Sequence, residues 1–101
     1  MSSDLPLTVI AHLKAKPGSE GALRDALLGI VSPTRAEAGC NAYELHVSAD
    51  DARHFIVYEQ WASDAALAAH FEEEHLKAFI AKVEDIISEP VSLERLRPIG
   101  S

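Results

Sequence analysis

The sequence has few of the features that mark disulfide-bonded, zinc-binding or phosphate-binding proteins. Its single cysteine, Cys40, cannot form an internal disulfide, and no Cys/His spacing matches a zinc module. There is no glycine-rich phosphate loop, no G-x-S-x-G and no H-E-x-x-H. Familiar nucleotide-binding, serine-hydrolase and zinc-protease signatures are therefore absent, and Cys40 is interpreted as a buried structural thiol.

Basic residues are also scarce. Nine Lys and Arg stand against sixteen Asp and Glu, which gives a formal net charge of −7, and the basic residues form no run. Nucleic acid and anionic membranes are therefore not expected as partners. The apolar runs are too short to span a bilayer, and residues 1–6 lack the basic and apolar regions of a signal peptide. We expect a cytoplasmic protein.

The length and the 48% hydrophobic composition suit one domain over residues 1–101, with a core at about 7–97. Apolar alternation predicts strands at 7–15, 40–48, 54–61 and 91–96. One helix should be capped by Ser19 and be ended or kinked by Pro33, with a further turn to Ala38. A second should open at Ser63 with Leu67 and Phe71 on its apolar side. It should break at 72–74 and continue to Pro90 along a stripe of Leu76, Phe79, Ile80, Val83 and Ile87.

This order predicts an α+β, ferredoxin-like βαββαβ fold with an antiparallel sheet and helices on one face. The third strand carries apolar side chains on both of its faces. A single helical layer covers only one face, so the other is expected to meet a second subunit.

Two histidines are candidates for proton transfer, because imidazole titrates near neutral pH. His70 and His75 are five residues apart, which on one continuous helix is a rotation of about 140°. A helix break at 72–74 would allow both rings to enter one cavity. A surface or capping role is an equally good interpretation of each.

The end of the third strand supplies two further candidates. Trp61, the only tryptophan, is either a core aromatic residue or a flat wall for a planar ligand. Glu59 lies on the same strand face and needs a partner if it is buried. An ion pair with Arg24 or Arg35 is favoured for Glu59 over a catalytic role.

Several short segments together resemble the antibiotic biosynthesis monooxygenase family, including its quinol monooxygenase-like members. They occur in the family's order and include Lys16-Pro17-Gly18, the stretch 35–40, Tyr43-Glu44-Leu45, Tyr58-Glu59-Gln60-Trp61 and the stretch 75–79. The resemblance implies a dimeric α+β barrel, in which two subunits pack sheet against sheet. It also implies a pocket between sheet and helices, where molecular oxygen oxidises a polycyclic phenol or quinol, a small aromatic molecule, without metal or flavin.

The resemblance also implies roles for particular residues. His75 or His70 would assist proton transfer, and Trp61, Phe71 and Phe79 would form walls for the aromatic rings. Tyr43 and Glu59 would be polar contacts to the substrate. No cofactor-binding or metal-binding residue is implied. Ala11 stands where haem-degrading relatives carry asparagine, which argues against haem degradation.

Two alternatives stay open. The same scaffold could isomerise a small phosphorylated metabolite, although no motif supplies an obvious Arg or Lys for the phosphate. It could also be a dimeric small-molecule-binding domain without catalysis, because a fold does not determine an activity.

Overall fold

The computed structural model describes residues 5–100, which form a four-stranded antiparallel sheet and three helices. The strands are β1 (Leu7–Lys14), β2 (Cys40–Val47), β3 (His54–Trp61) and β4 (Ser92–Leu96), and the helices are α1 (Glu20–Arg35), α2 (Asp64–Phe71) and α3 (Glu74–Val83). The strand order is β2-β3-β1-β4, and every neighbouring pair is antiparallel. The predicted α+β, ferredoxin-like fold is confirmed.

The core lies between the helices and one face of the sheet. Alternate side chains of β1 and β3 are buried there, and they pair across the strands as Leu7 with Trp61, Val9 with Glu59, Ala11 with Val57 and Leu13 with Phe55. The helices cover this face with Leu23, Leu27, Ile30, Leu67, Leu76, Phe79 and Val83. Glu59 is the only acidic side chain in the buried rows of β1 and β3.

The first helix begins directly after Ser19 and continues past Pro33, as predicted, but its predicted side-chain cap is not formed. It begins at Glu20, but the Ser19 hydroxyl makes no capping hydrogen bond. At the second helix, by contrast, Ser63 is extended and its side chain accepts a hydrogen bond from the Ala66 N–H at 3.1 Å. Pro33 does not end α1, which continues to Arg35. Its missing N–H removes one intrahelical hydrogen bond, yet the two residues after it remain helical.

The predicted break is confirmed, since α2 ends at Phe71 and α3 begins at Glu74. The predicted faces need two corrections. His70 is buried and Phe71 is 37% exposed, and Ile80, placed on the buried stripe, is 47% exposed. The last helix ends at Val83 rather than at Pro90, because Ile87 already pairs with Ala15 in an isolated β-bridge. No helix within residues 5–100 is long and apolar enough to cross a membrane.

Candidate functional site

A cavity of about 240 Å³ lies between the sheet and the helices. Three polar side chains contribute to its wall: Tyr43 from β2, Glu59 from β3 and His70 from α2. Among the described residues, neither lysine nor arginine lines it. The remaining lining is apolar and consists of Val9, Ala11, Leu13, Leu27, Val57, Leu67, Phe71, Leu76, Phe79, Ile80, Val91 and Leu93. Such a site suits a mostly apolar molecule with one or two polar groups.

The mouth of the cavity is formed by its most exposed lining residues. Phe71 and Ile80 come from the helices and are 37% and 47% exposed. Val91, directly before β4, and Leu93, within it, are each 42% exposed. All four lining residues at this opening, between the last strand and the helices, are therefore apolar.

His70 has its two ring nitrogens in different surroundings. The side chain is only 3% exposed, and its Nδ1 lies 2.8 Å from Oε2 of Glu37. Its ring packs against the indole of Trp61, with 4.7 Å between the ring centroids. Because Nδ1 is hydrogen-bonded to the carboxylate, Nε2 is the ring nitrogen that can form a hydrogen bond with a molecule in the cavity.

His75 reaches the same carboxylate oxygen from the next helix. Its Nε2 lies 2.8 Å from Oε2 of Glu37, and its side chain is 21% exposed. It does not line the cavity but borders a second depression between α1 and α3. The helix break thus brings both imidazoles to one acid, while only His70 enters the cavity wall.

Glu37 was not predicted as a site residue. It follows α1 in a turn where its N–H donates to Thr34 and its carbonyl accepts from the Cys40 N–H, at 3.0 and 3.1 Å. Arg35 fixes the same turn by donating two hydrogen bonds to the Tyr43 carbonyl, at 3.0 and 2.8 Å. The only sequence signal was its place in the family-like stretch 35–40, because 33 residues separate it from His70.

Gly39 allows α2 to approach this turn closely. A Cβ at position 39 would lie 2.3 Å from the Cβ of Ala66. We therefore expect Gly39→Ala to push α2 outward and lower the free energy of unfolding by about 1–3 kcal/mol. Urea unfolding measures this change. The control is Gly29→Ala, which meets no atom within 4 Å on α1 and should be neutral or slightly stabilising. Equal destabilisation by both variants would contradict the packing argument.

Glu59 is buried, and its partner differs from the one predicted. The Trp61 Nε1–H donates to its Oε1 at 2.9 Å, whereas Arg35 is bonded to the Tyr43 carbonyl. The expected ion pair with Arg24 or Arg35 is not formed. Burial raises the pKa of Glu59 from 4.5 to about 7, against the opposing effect of the Trp61 hydrogen bond, and the charge of Glu37 raises it further. Near neutral pH this carboxyl group is therefore partly protonated.

This raised pKa predicts a pH-dependent stability. Between pH 4.5 and 7 the folded state holds the Glu59 proton more tightly than the unfolded state. The free energy of unfolding should therefore fall as the pH rises through this window, by at most about 3 kcal/mol. Glu59→Gln keeps an acceptor for Trp61 and should flatten the fall. Urea unfolding at pH 5 and 8 checks this, with Glu44→Gln, an exposed acid on β2, as the control. An unchanged slope in Glu59→Gln would contradict the raised pKa.

The remaining predicted site residues occupy different depths. Tyr43 and Phe79 line the cavity and are 3% and 7% exposed. Burial raises the pKa of the Tyr43 phenol well above its usual value, so the group stays neutral. Trp61 is fully buried and is not among the lining residues. The indole lies behind His70 and contacts the imidazole, instead of forming a wall of the cavity.

The fold and the cavity define a ferredoxin-like α+β protein with an apolar site under its helices. The model of the family described as "Antibiotic biosynthesis monooxygenase" matches residues 6–82, and the chain belongs to this family. The solved structure of PA3566 from Pseudomonas aeruginosa has 39% sequence identity and a TM-score of 0.91, covering 97% of this chain and 98% of that one.

Two further relatives agree with this assignment. Rv0793 from Mycobacterium tuberculosis is 35% identical over 93% of this chain and 92% of its own, and its structure superimposes with a TM-score of 0.90. The Escherichia coli protein named "Probable quinol monooxygenase YgiN" is 31% identical over 91% of this chain and 97% of its own.

Proposed function

We propose that this protein is a cofactor-independent monooxygenase that uses molecular oxygen to oxidise a small phenol or quinol. The observation that carries the proposal is His70, a buried imidazole held by Glu37 in the wall of an otherwise apolar cavity. Family membership supports the reaction class, and the name of YgiN supports a quinol-type substrate.

The cavity favours a compact aromatic substrate. An apolar cavity of about 150 Å³ holds benzene. The 240 Å³ here suits two fused rings better than four, with Phe79 and Leu76 among the apolar contacts. A dihydroxynaphthalene therefore fits the proposal in size and in polarity.

His70 supplies the proton-transfer step. Glu37 accepts a hydrogen bond from Nδ1–H, which leaves the Nε2 lone pair to remove the hydroxyl proton of a bound phenol. The carboxylate then stabilises the imidazolium cation that forms. The resulting phenolate is electron-rich and reacts with oxygen faster than the neutral phenol.

The overall reaction balances without an external reductant. A ring carbon loses its hydrogen and gains one oxygen atom as a carbonyl, and the phenol becomes the second carbonyl of a quinone. The other oxygen atom leaves as water with the ring hydrogen and the hydroxyl hydrogen. The substrate supplies all four electrons that oxygen accepts, and the apolar walls shield the anion from water.

Glu59 and Tyr43 are the proposed polar contacts to the substrate. Both line the cavity, and they pair with each other across β2 and β3. With a pKa of about 7, Glu59 can donate a hydrogen bond to a substrate oxygen in its protonated form. Tyr43 offers a neutral phenol hydroxyl for the same purpose.

The proposal includes a homodimer formed through the open face of the sheet. Ile10, Ile56 and Tyr58 lie on this face and are only half-buried in the single chain. Pairing with a second sheet would remove these side chains from water. Light scattering should give the mass of two chains, and a monomer at micromolar concentration would remove this part of the proposal.

An isomerase of a phosphorylated metabolite has less support. Phosphate recognition needs Arg or Lys, and neither residue type lines the cavity within residues 5–100. A binding protein without catalytic activity would have the same cavity, so only a measurement of substrate turnover distinguishes it from the proposed monooxygenase.

The experiment is oxygen uptake by the purified protein with a panel of dihydroxynaphthalenes and naphthacene-like phenols. Chelator is present, no metal or flavin is added, and heat-treated protein corrects for autoxidation. We expect saturable uptake with one oxygen molecule consumed per quinone formed, fastest for the bicyclic phenols. No uptake above the control with any substrate would contradict the proposal, and saturable binding without uptake would identify a binding protein.

A further inference from the structure

Three metal-ligating side chains meet where the turn after α1 packs against α2 and α3. The donor atoms are Oε2 of Glu37, Nδ1 of His70 and Nε2 of His75, and all lie within 4.8 Å of one another. The two imidazoles converge on a single oxygen instead of being divided between the two oxygens of the carboxylate. Two histidines and one carboxylate are a donor set that zinc and divalent iron, cobalt and nickel accept.

The two nitrogen–oxygen distances also suit neighbouring ligand positions around a metal ion. Each histidine nitrogen lies 2.8 Å from the Glu37 oxygen. Two ligands that are about 2.1 Å from an ion and 2.8 Å from each other subtend about 85° at it. This angle is near the 90° between neighbouring ligands in octahedral coordination. Only a small outward movement of the side chains would be needed for tetrahedral coordination.

The cluster can be reached from solvent without passing through the substrate cavity. His75 borders the depression between α1 and α3, where Asp25 and Lys82 also lie. Its side chain is 21% exposed, whereas those of His70 and Glu37 are 3% and 9% exposed. A cation can therefore arrive at His75 first. The net charge of −7 favours its approach.

We propose that Glu37, His70 and His75 form a binding site for a divalent transition-metal ion. The ion takes the place of the hydrogen-bonding protons between the two imidazoles and the carboxylate, and water completes its coordination. A ring nitrogen must be unprotonated to bind a metal, so the single ring proton of each neutral imidazole moves to its other nitrogen. On His70 that nitrogen is Nε2, the atom left for the cavity.

Metal binding therefore changes what His70 presents to a ligand. Without the ion, Nε2 offers a lone pair, and with the ion it carries the proton and becomes a hydrogen-bond donor. If the proposed oxygenase mechanism is correct, the ion is an inhibitor, because the base that removes the phenol proton is lost. This last consequence rests on the proposed function, whereas the metal site does not.

Calorimetric titration of the chelator-treated protein with zinc chloride tests the site, and cobalt chloride adds an absorption spectrum that reports coordination. We expect one zinc per chain and visible cobalt bands. Zinc should bind at least tenfold more weakly to His75→Ala, which spares the cavity wall, and to Glu37→Gln, which keeps the side-chain size. Magnesium should not compete, because it prefers all-oxygen ligands.

The chain offers a matched control on the opposite face of the sheet. His12 and His54 contact each other there at 3.0 Å, and His12 also contacts Glu94 at 2.6 Å. His12→Ala should leave the high-affinity zinc site intact. The proposal is overturned if His12→Ala removes the binding, if His75→Ala and Glu37→Gln bind zinc like the unmodified protein, or if no zinc binds. Zinc binding together with no oxygenase activity in the chelator-treated, zinc-free protein would keep the site and reject the proposed function.

Discussion

Replacing His70 with asparagine should reduce the rate of oxygen uptake at saturating substrate by at least 100-fold. The amide of the introduced asparagine can still donate a hydrogen bond to Glu37, but it has no nitrogen that accepts a proton at neutral pH. General-base catalysis by a positioned side chain contributes about 10²- to 10⁴-fold. The Michaelis constant should change little, because the apolar walls that hold the substrate rings are unaltered.

The control for this experiment is the same substitution outside the cavity. His46 lies on β2 and does not line the cavity. His46→Asn should retain the activity of the unmodified protein. If His70→Asn also retains it, His70 is not the base, and Glu59 becomes the next candidate because it lines the cavity and burial raises its pKa to about 7.

Trp61→Ala should lower the free energy of unfolding by about 3–5 kcal/mol. The indole is fully buried, packs against His70 with ring centroids 4.7 Å apart, and donates to Glu59. Truncation leaves a cavity and removes the hydrogen bond of a buried carboxyl group. Because the protein has one tryptophan, far-UV circular dichroism rather than intrinsic fluorescence must follow the unfolding.

Two further substitutions separate packing from hydrogen bonding in this prediction. Trp61→Phe keeps most of the buried volume and should cost about 1–3 kcal/mol, mainly because Glu59 loses its donor. Phe71→Ala truncates an aromatic side chain that is 37% exposed and should cost less than half as much as Trp61→Ala. A Trp61→Ala variant as stable as Phe71→Ala would show that the indole does not support the site.

The sheet and the helix positions could be predicted because they depend on local patterns. The alternation from His54 to Trp61 and the short polar connection before it indicate a hairpin strand, and the structure has β3 at these residues. The acidic stretch 72–74 likewise marked the break between α2 and α3. The start of α1 after Ser19 and its continuation past Pro33 were predicted, but the Ser19 hydroxyl makes no capping hydrogen bond and α1 ends at Arg35, before Ala38.

The candidate site depends on contacts between residues distant in sequence. The sequence alone therefore predicted the members of the site less completely than it predicted the fold. His70, Tyr43, Glu59, Phe71 and Phe79 were named and all line the cavity. Glu37 was missed, because no periodicity connects a turn after α1 to histidines 33 and 38 residues later. The predicted partner of Glu59 was wrong. An arginine was expected, but the carboxyl group accepts its hydrogen bond from the indole N–H of Trp61, two residues along the same strand.

The central claim is that Nε2 of His70 removes the hydroxyl proton of a bound phenol before oxygen reacts. Anaerobic spectrophotometric titration of the chelator-treated protein with a dihydroxynaphthalene tests it most directly, because phenolate absorbs at longer wavelength than phenol and no oxidation interferes. The account predicts one phenolate per chain at a pH where the free compound is neutral, and binding without ionisation in His70→Asn. A ligand that binds neutral to the unmodified protein, or ionises equally in His70→Asn, would contradict the account.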